Sequence, residues 1–236
     1  MPRKLAGWTL LIVLGVVTTS RGDEAKPRSA LAALQPFHDL IGSWRGTGVP
    51  EGPGADKQRD FWSETHAWEW RFQGDDAWLT VSVRDGKYWT QGELRYLPDQ
   101  DQYQLILRTP EKKTKTYTGQ LDKRVLTLDA KDAATGEVER VVISLLHSNR
   151  FLYRQERKPA DRPRFVRLYQ VGVTKEGVPF ATGGGQPECI VSGGLGTMPV
   201  TYKGQTYYVC CGGCRDAFND EPEKFIQEYE AKQREK

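Results

Sequence analysis

A period-two alternation of large side chains, recurring from about residue 41 to residue 175, constrains the fold most. It is clearest between residues 62 and 72, where every second residue shares one face: Trp62, Glu64, His66, Trp68, Trp70 and Phe72. Such alternation is typical of strands with one buried face. Further runs follow at residues 77–84, 88–97, 103–109, 115–121, 125–130, 138–146, 151–157 and 165–173.

Turn signals such as Gly74-Asp75 and Thr135-Gly136 separate these runs. With an opening strand at 42–48, the chain has about ten strands at a spacing typical of barrels and sandwiches. Connections this short imply antiparallel neighbours. A regular meander leaves no bare edge when it closes on itself. We therefore expect a mainly β protein built on an antiparallel barrel of about ten strands.

All four cysteines lie near the C-terminus, at Cys189, Cys210, Cys211 and Cys214. Residues 200–202 and 206–209 predict a hairpin, and two helices follow it, so this segment is expected to be a small α+β domain. The hairpin's end and the helix start bring Cys210 or Cys211 near Cys214, and Cys189 can fold back to supply a third sulfur. A helix N-terminus lowers the pKa of a thiol and favours the thiolate that metals need.

The cysteines allow two interpretations. A thiolate site of three or four sulfurs suits Cu(I) or Zn(II), and three sulfurs alone suit trigonal Cu(I). In the alternative, two disulfide bonds, Cys189–Cys210 and Cys211–Cys214, cross-link the domain. We favour the metal site. Because Cys211-x-x-Cys214 is also a common chelating pair, Cys211 is either a fourth ligand or takes the place of Cys210.

Residues 1–22 have the layout of a secretory signal peptide. Arg3 and Lys4 precede an apolar run from residue 5 to residue 17, and small polar residues follow it. The run is shorter than the roughly twenty residues that a membrane span needs. We expect cleavage, export to the periplasm or outside the cell, and no stable membrane span afterwards.

The signal segment also explains the formal net charge of +3. Its only charged residues are Arg3, Lys4 and Arg21, so the rest of the chain is formally neutral. A neutral chain offers no electrostatic case for nucleic acid as a partner. The predicted organisation is a signal peptide at 1–22, a barrel at 29–175, a Gly/Pro linker at 176–186 and the cysteine domain at 187–236.

The cysteine segment resembles the YHS family, which is related to the TRASH domains proposed for heavy-metal trafficking, resistance and sensing. The spacing of Cys189, Cys210 and Cys214 carries the resemblance, together with Tyr-x-Gly-x-Thr-Tyr-Tyr at 202–208 and Asp-Glu-Pro-Glu-Lys-Phe at 220–225. It covers residues 187–236. It implies capture or hand-over of a soft heavy-metal ion by cysteine thiolates.

The pattern Gly42-x-Trp44-x-Gly46-x-Gly48 resembles the first strand of lipocalin-like barrels, and more closely of nitrobindin-like and fatty-acid-binding-protein-like barrels. The resemblance implies that Trp44 closes one end, with an arginine of the last strand, Arg164 or Arg167, over its ring. Nitrobindin-like barrels bind haem through a histidine on a late strand. Residues 165–173 contain no histidine, and the chain's histidines are His38, His66 and His147, so haem is not expected.

Nothing in the barrel segment resembles a catalytic triad, a phosphate loop or a pair of catalytic carboxylates, so no enzyme activity is expected. Glu64 and His66 are either a polar pair in a ligand cavity or an ordinary interior pair, and we favour the latter. The sequence predicts an exported copper- or zinc-binding protein whose barrel has an unknown, small apolar ligand. The alternatives are an interaction module stapled by zinc or disulfides, and a barrel-centred carrier of haem or lipid.

Overall fold

A computed structural model describes residues 28–52, 54–177 and 187–234 of the chain. The predicted signal peptide lies outside the described residues, as do positions 178–186 of the predicted linker. Within the described ranges, no helix combines the length and the apolar character needed to cross a membrane.

Ten antiparallel strands close into a barrel in which each strand pairs with its neighbour along the chain and the last pairs with the first. The strands are β1 (Gly42–Pro50), β2 (Trp62–Gln73), β3 (Asp76–Arg84), β4 (Gln91–Leu97), β5 (Gln102–Arg108), β6 (Thr114–Asp122), β7 (Val125–Lys131), β8 (Val138–His147), β9 (Arg150–Lys158) and β10 (Val166–Lys175). The prediction of an antiparallel barrel of about ten strands is confirmed.

The connection between β3 and β4 is longer than the alternation predicts. Strand β4 begins at Gln91, whereas the apolar pattern begins at Tyr88. Asp85 has a left-handed backbone (φ 58°), and a Cβ at Gly86 would lie 2.1 Å from the carbonyl oxygen of Trp89. The tight turn folds Tyr88 and Trp89 toward the barrel, so these aromatic residues belong to the connection and not to the strand.

One end of the barrel is closed by α1 (Ala30–Leu34) and the 3₁₀ helix Gln35–Leu40 that continues it. Leu34 and Phe37 are fully buried there, because the apolar face of this segment packs on the barrel core. The hydroxyl of Tyr103 on β5 donates to the carbonyl oxygen of Ala33 at 2.7 Å. This contact fixes the helical cap to the strands below it.

Trp44 lies at the closed end, as the sequence predicts, but the cation over its ring is a lysine. The indole Nε1 donates to the carbonyl oxygen of Leu40 at 2.6 Å, and Lys175 Nζ lies 5.2 Å from the ring centroid. The expectation of an arginine is wrong for Arg167, whose guanidinium contacts Glu51 at 3.5 Å. The strand register explains why a lysine and not an arginine lies over the ring, since Trp44 pairs with Lys175 at the end of β10.

The C-terminal unit consists of a hairpin and two helices, as predicted. Its elements are β11 (Met198–Tyr202), β12 (Gln205–Val209), α2 (Gly212–Asp220) and α3 (Pro222–Arg234). The two-residue turn has positive φ at both positions, 48° at Lys203 and 80° at Gly204, which is the conformation that a tight hairpin needs. Helix α2 lies against β2 of the barrel, so the unit contacts the barrel directly.

Candidate metal centre

Three cysteine sulfurs converge at the centre of the C-terminal unit. The Sγ atoms of Cys189, Cys210 and Cys214 all lie within 4.8 Å of one another, and those of Cys210 and Cys214 are 3.4 Å apart. Cys189 and Cys214 are fully buried, whereas Cys210 is partly exposed. All four cysteines are free thiols. The fold therefore presents a thiol cluster and not the alternative pair of disulfides.

Cys189 reaches the cluster because the chain turns back on itself immediately after it. The amide of Cys189 donates to the carbonyl oxygen of Gly194 at 2.6 Å, and the amide of Gly193 donates back to Cys189 at 2.8 Å. Gly193 has φ 73°, which favours glycine at this position. The amide of Ile190 donates to Tyr208 of β12, so the Cys189–Gly194 loop is fixed to the hairpin.

The other cysteines lie where β12 ends and α2 begins. Cys211 is the residue that precedes the helix, with an extended backbone (φ −158°, ψ 173°), and its carbonyl accepts from the amide of Arg215 at 3.0 Å. Cys214 lies in the first helical turn, so one turn of helix separates it from Cys210. The positive end of the helix dipole is therefore close to the sulfurs and favours thiolates.

Cys211 differs from the other three cysteines. Its Sγ lies 3.9 Å from that of Cys210 and accepts a hydrogen bond from the backbone amide of Trp70, on barrel strand β2, at 3.4 Å. It is not part of the group in which three sulfurs lie mutually within 4.8 Å. Of the two adjacent cysteines that the sequence left open, the structure brings Cys210 together with Cys189 and Cys214.

Ser192, which no sequence pattern indicates, contacts two of the clustered sulfurs. Its amide donates to Cys189 Sγ at 3.5 Å, and its hydroxyl lies 3.4 Å from Cys210 Sγ. The residue is buried, with 1 % of its surface exposed. A serine three residues after a cysteine is too common a pattern to indicate this role from sequence.

The thiols are electrostatically coupled. Hydrogen bonds from Cys210 lower the pKa of both Cys189 and Cys211, whereas burial raises the pKa of Cys214. A hydrogen bond to Cys189 raises the pKa of Cys210. The buried cluster thus favours some thiolates at the expense of others, because closely spaced negative charges repel one another. A bound cation would remove this repulsion and stabilise all of them as thiolates.

Two basic residues from the closed end of the barrel lie beside the cluster. Burial lowers the pKa of both His38 and Lys175. The negative charge of Asp39 opposes this in both cases, and Cys189 (for His38) and Cys210 (for Lys175) act in the same direction as Asp39. The His38 ring packs against the Cys189–Gly194 loop, since a Cβ at Gly194 would lie 3.2 Å from it. Lys175 therefore supplies a positive charge near the thiols, whereas the lowered pKa of His38 favours its neutral form at neutral pH.

Glu64 and His66 lie inside the barrel, and both are buried. His66 Nε2 is 2.7 Å from Glu64 Oε1, and the same carboxylate accepts from the hydroxyl of Tyr153 and from Trp62 Nε1. Burial raises the pKa of Glu64, but these hydrogen bonds outweigh it and hold the pKa below its ordinary value. The favoured interpretation of an interior pair agrees with this geometry. His147, at the end of β8, is exposed.

Residues 198–229 match the sequence model of the YHS domain. The match includes the hairpin, Cys210, Cys211 and Cys214, while Cys189 precedes it. No curated protein matches the sequence. The C-terminal unit is a YHS domain, and it follows a closed ten-stranded barrel.

The donor set fits a soft or borderline metal ion. Thiolate sulfur selects ions such as Cu(I) and Zn(II) over the hard ions that prefer oxygen. The residues that would hold the ion are Cys189, Cys210 and Cys214, with Cys211 adjacent. Together, the YHS match and the converging thiols indicate metal binding.

Proposed function

We propose that this protein is an exported, non-enzymatic carrier that holds a soft heavy-metal ion, copper or zinc, in its YHS domain. The convergence of the Cys189, Cys210 and Cys214 sulfurs within 4.8 Å carries the proposal. Thiolates beside a helix N-terminus and basic side chains are suited to binding a cation and passing it on. The partly exposed Cys210 provides the side from which an incoming ligand reaches the ion.

Copper in the Cu(I) state is the ion that this arrangement favours. Three sulfurs form the mutual group, and three thiolates suit Cu(I) in trigonal geometry. Zn(II) is held by four ligands in nearly all structural sites. Cys211 would have to give up its hydrogen bond from Trp70 to become the fourth.

The experiment that tests the function is a metal analysis combined with a free-thiol count. Mature protein is purified from its export compartment without chelator, and thiols are titrated before and after the metal is stripped. We expect about one copper or zinc per chain, with thiols that react only after stripping. No metal, no free thiols and no binding after reduction would contradict a metal carrier.

The second candidate is an interaction module whose small domain is held together by zinc. It is favoured by the complete burial of Cys189 and Cys214, since structural zinc sites are closed. A chelator challenge separates the two functions. A carrier loses or exchanges its ion within the assay and keeps its secondary structure, whereas a zinc-stapled module retains the ion until the domain unfolds.

The barrel serves in this proposal as a support for the metal domain. Buried aromatic side chains occupy its interior, among them Trp44, Trp68, Trp70 and Phe151. Extraction of the purified protein with organic solvent, followed by mass spectrometry, tests the small apolar ligand. Stoichiometric recovery of a lipid or of haem would indicate that the protein is a carrier whose ligand lies in the barrel.

The mass of the mature chain tests export, since removal of residues 1–22 shortens it by that segment.

A further inference from the structure

The barrel contacts both loops that carry the clustered cysteines. On the Cys189–Gly194 loop, the side-chain amide of Gln35 donates to the carbonyl oxygen of Ser192 at 2.6 Å. Ser192 in turn contacts the sulfurs of Cys189 and Cys210. Gln35, in the 3₁₀ helix at the barrel's closed end, is therefore connected to the sulfurs of Cys189 and Cys210 through Ser192 alone.

The second loop, at the start of α2, lies on the edge of β2. Pairing between β1 and β2 ends with Gly42 opposite Trp68, so the edge of β2 at Trp70 lies beyond the last pair. The amide of Trp70 donates to Cys211 Sγ at 3.4 Å. A Cβ at Gly213 would lie 1.7 Å from the Trp70 carbonyl oxygen, so only glycine permits this approach.

We propose that the barrel is a working part of the metal centre, and that Cys211 is a positioning residue that connects the edge of β2 to the thiol cluster instead of a metal ligand. By holding both loops, the barrel brings Cys189 to Cys210 and Cys214. This inference rests on the proposed function. It assigns the barrel to the same site, as the outer shell that orients the ligands.

The physical reason is preorganisation. Cys189 and Cys210 are separated by a 20-residue segment, and holding their loops in one geometry before the ion arrives reduces the entropic cost of binding. The hydrogen bond from Trp70 engages a lone pair of Cys211 and keeps that sulfur directed at the barrel. Outer-shell partners of this kind typically affect metal affinity by about 10- to 100-fold.

The first test compares Gly213→Ala with Gly212→Ala. The two glycines are adjacent in α2, but a Cβ at Gly212 meets nothing within 4 Å. Alanine favours a helix at either position and leaves all four thiols in place. We expect Gly213→Ala to weaken Cu(I) binding by about 10- to 100-fold in competition with a chromophoric chelator. Gly212→Ala should bind like the unaltered protein.

The second test uses Cys211→Ser and Cys211→Ala. A serine hydroxyl can accept the Trp70 amide but is a poor ligand for Cu(I), whereas alanine can do neither. We expect the serine variant to retain one Cu(I) per chain, close to full affinity and an unchanged thiolate-to-copper absorption band. The alanine variant should bind more weakly. A reduced band in both variants would make Cys211 a ligand and overturn its positioning role.

Gln35→Ala keeps the inference testable if Gly213→Ala does not fold. It removes the hydrogen bond to Ser192 without altering the YHS domain, and circular dichroism verifies the barrel. Weaker Cu(I) binding by Gln35→Ala supports the inference. Unchanged affinity in Gln35→Ala and in every folded Gly213→Ala sample overturns it. Loss of metal binding by the unaltered protein would instead overturn the proposed function.

Discussion

The backbone amide of Trp70 donates a hydrogen bond to Cys211 Sγ at 3.4 Å, across 141 positions of sequence. It joins the edge of a barrel strand to the cysteine that precedes helix α2. Cys211 is adjacent to Cys210 in the chain, so the same contact also restricts the position of Cys210. The sulfur of Cys210 belongs to the three-thiol group. The metal-binding domain and the barrel are therefore one structural unit at this site.

Removal of either buried thiol is expected to abolish stoichiometric metal binding. Cys189→Ala and Cys214→Ala each leave two of the three grouped sulfurs, too few for a trigonal site. The measurement is copper and zinc content per chain after dialysis against a weak chelator. Cys211→Ser is the matched control, since it also removes one thiol but leaves the group intact. Full affinity in Cys189→Ala or Cys214→Ala would make the site assignment wrong.

Lys175→Met should weaken metal binding, and it also removes the hydrogen bond that Nζ donates to the carbonyl oxygen of Asp39 at 3.0 Å. Methionine keeps the apolar length of the side chain over the Trp44 ring but removes the charge beside the thiolates. We expect an increase in Kd of about fivefold, equivalent to about 1 kcal/mol, at low ionic strength. Lys131→Met, on the exposed end of β7, is the control. Equal affinity of Lys175→Met and the unaltered protein would exclude the electrostatic contribution.

Glu64→Gln should destabilise the barrel at neutral pH and much less in acid. The folded-state pKa of Glu64 lies below its ordinary value of 4.5, so the ionised carboxylate stabilises the fold above that pH. This stabilisation is lost as the pH falls through the folded-state pKa. Replacing a buried, multiply hydrogen-bonded carboxylate should lower the free energy of unfolding by about 2–4 kcal/mol at pH 7.

Urea unfolding of Glu64→Gln and the unaltered protein at pH 7, and at a series of acidic pH values well below 4.5 at which both still fold, measures this difference. Tyr153→Phe is a milder companion variant, because it removes one hydrogen-bond donor to Glu64 and leaves the charge. If Glu64→Gln lowered the free energy of unfolding by the same amount at neutral and acidic pH, a role for the ionised carboxylate would be contradicted.

Gly48→Ala should destabilise the barrel, whereas Gly172→Ala should not. The two glycines lie on the paired strands β1 and β10. A Cβ at Gly48 would lie 2.2 Å from the Trp62 ring, while one at Gly172 makes only an ordinary contact, at 3.5 Å, with Leu152. Overpacking of this kind costs about 1–3 kcal/mol. Thermal unfolding of both variants checks the difference, and equal melting temperatures would show that the Trp62 ring moves freely.

The barrel could be predicted because its evidence is local. The side chains from Trp62 to Phe72 alternate along a single strand, and turn residues mark where most strands end. The start of β4 could not be placed, since Tyr88 and Trp89 continue the apolar pattern into a connection. The left-handed backbone of Asp85 and the close approach of Gly86 to Trp89 turn the chain there, and a pattern of alternating side chains does not report that contact.

The cation over Trp44 shows a second limit of the sequence. An arginine on the last strand was expected from the resemblance, but the pairing register places Lys175 opposite Trp44. Register depends on how the whole barrel closes, and a displacement of even one residue changes the face on which a side chain lies.

The sequence by itself determined the strand content, the cysteine-rich hairpin and helices, and the set of four candidate thiols. The tertiary structure decided which cysteines converge, that Cys211 accepts from Trp70, and that Gln35 holds Ser192 beside the sulfurs. Alternation and cysteine spacing report neighbours within one element or one short domain. Contacts between a barrel edge and a loop more than a hundred residues away arise only when the packed elements meet, because no local pattern encodes their distance.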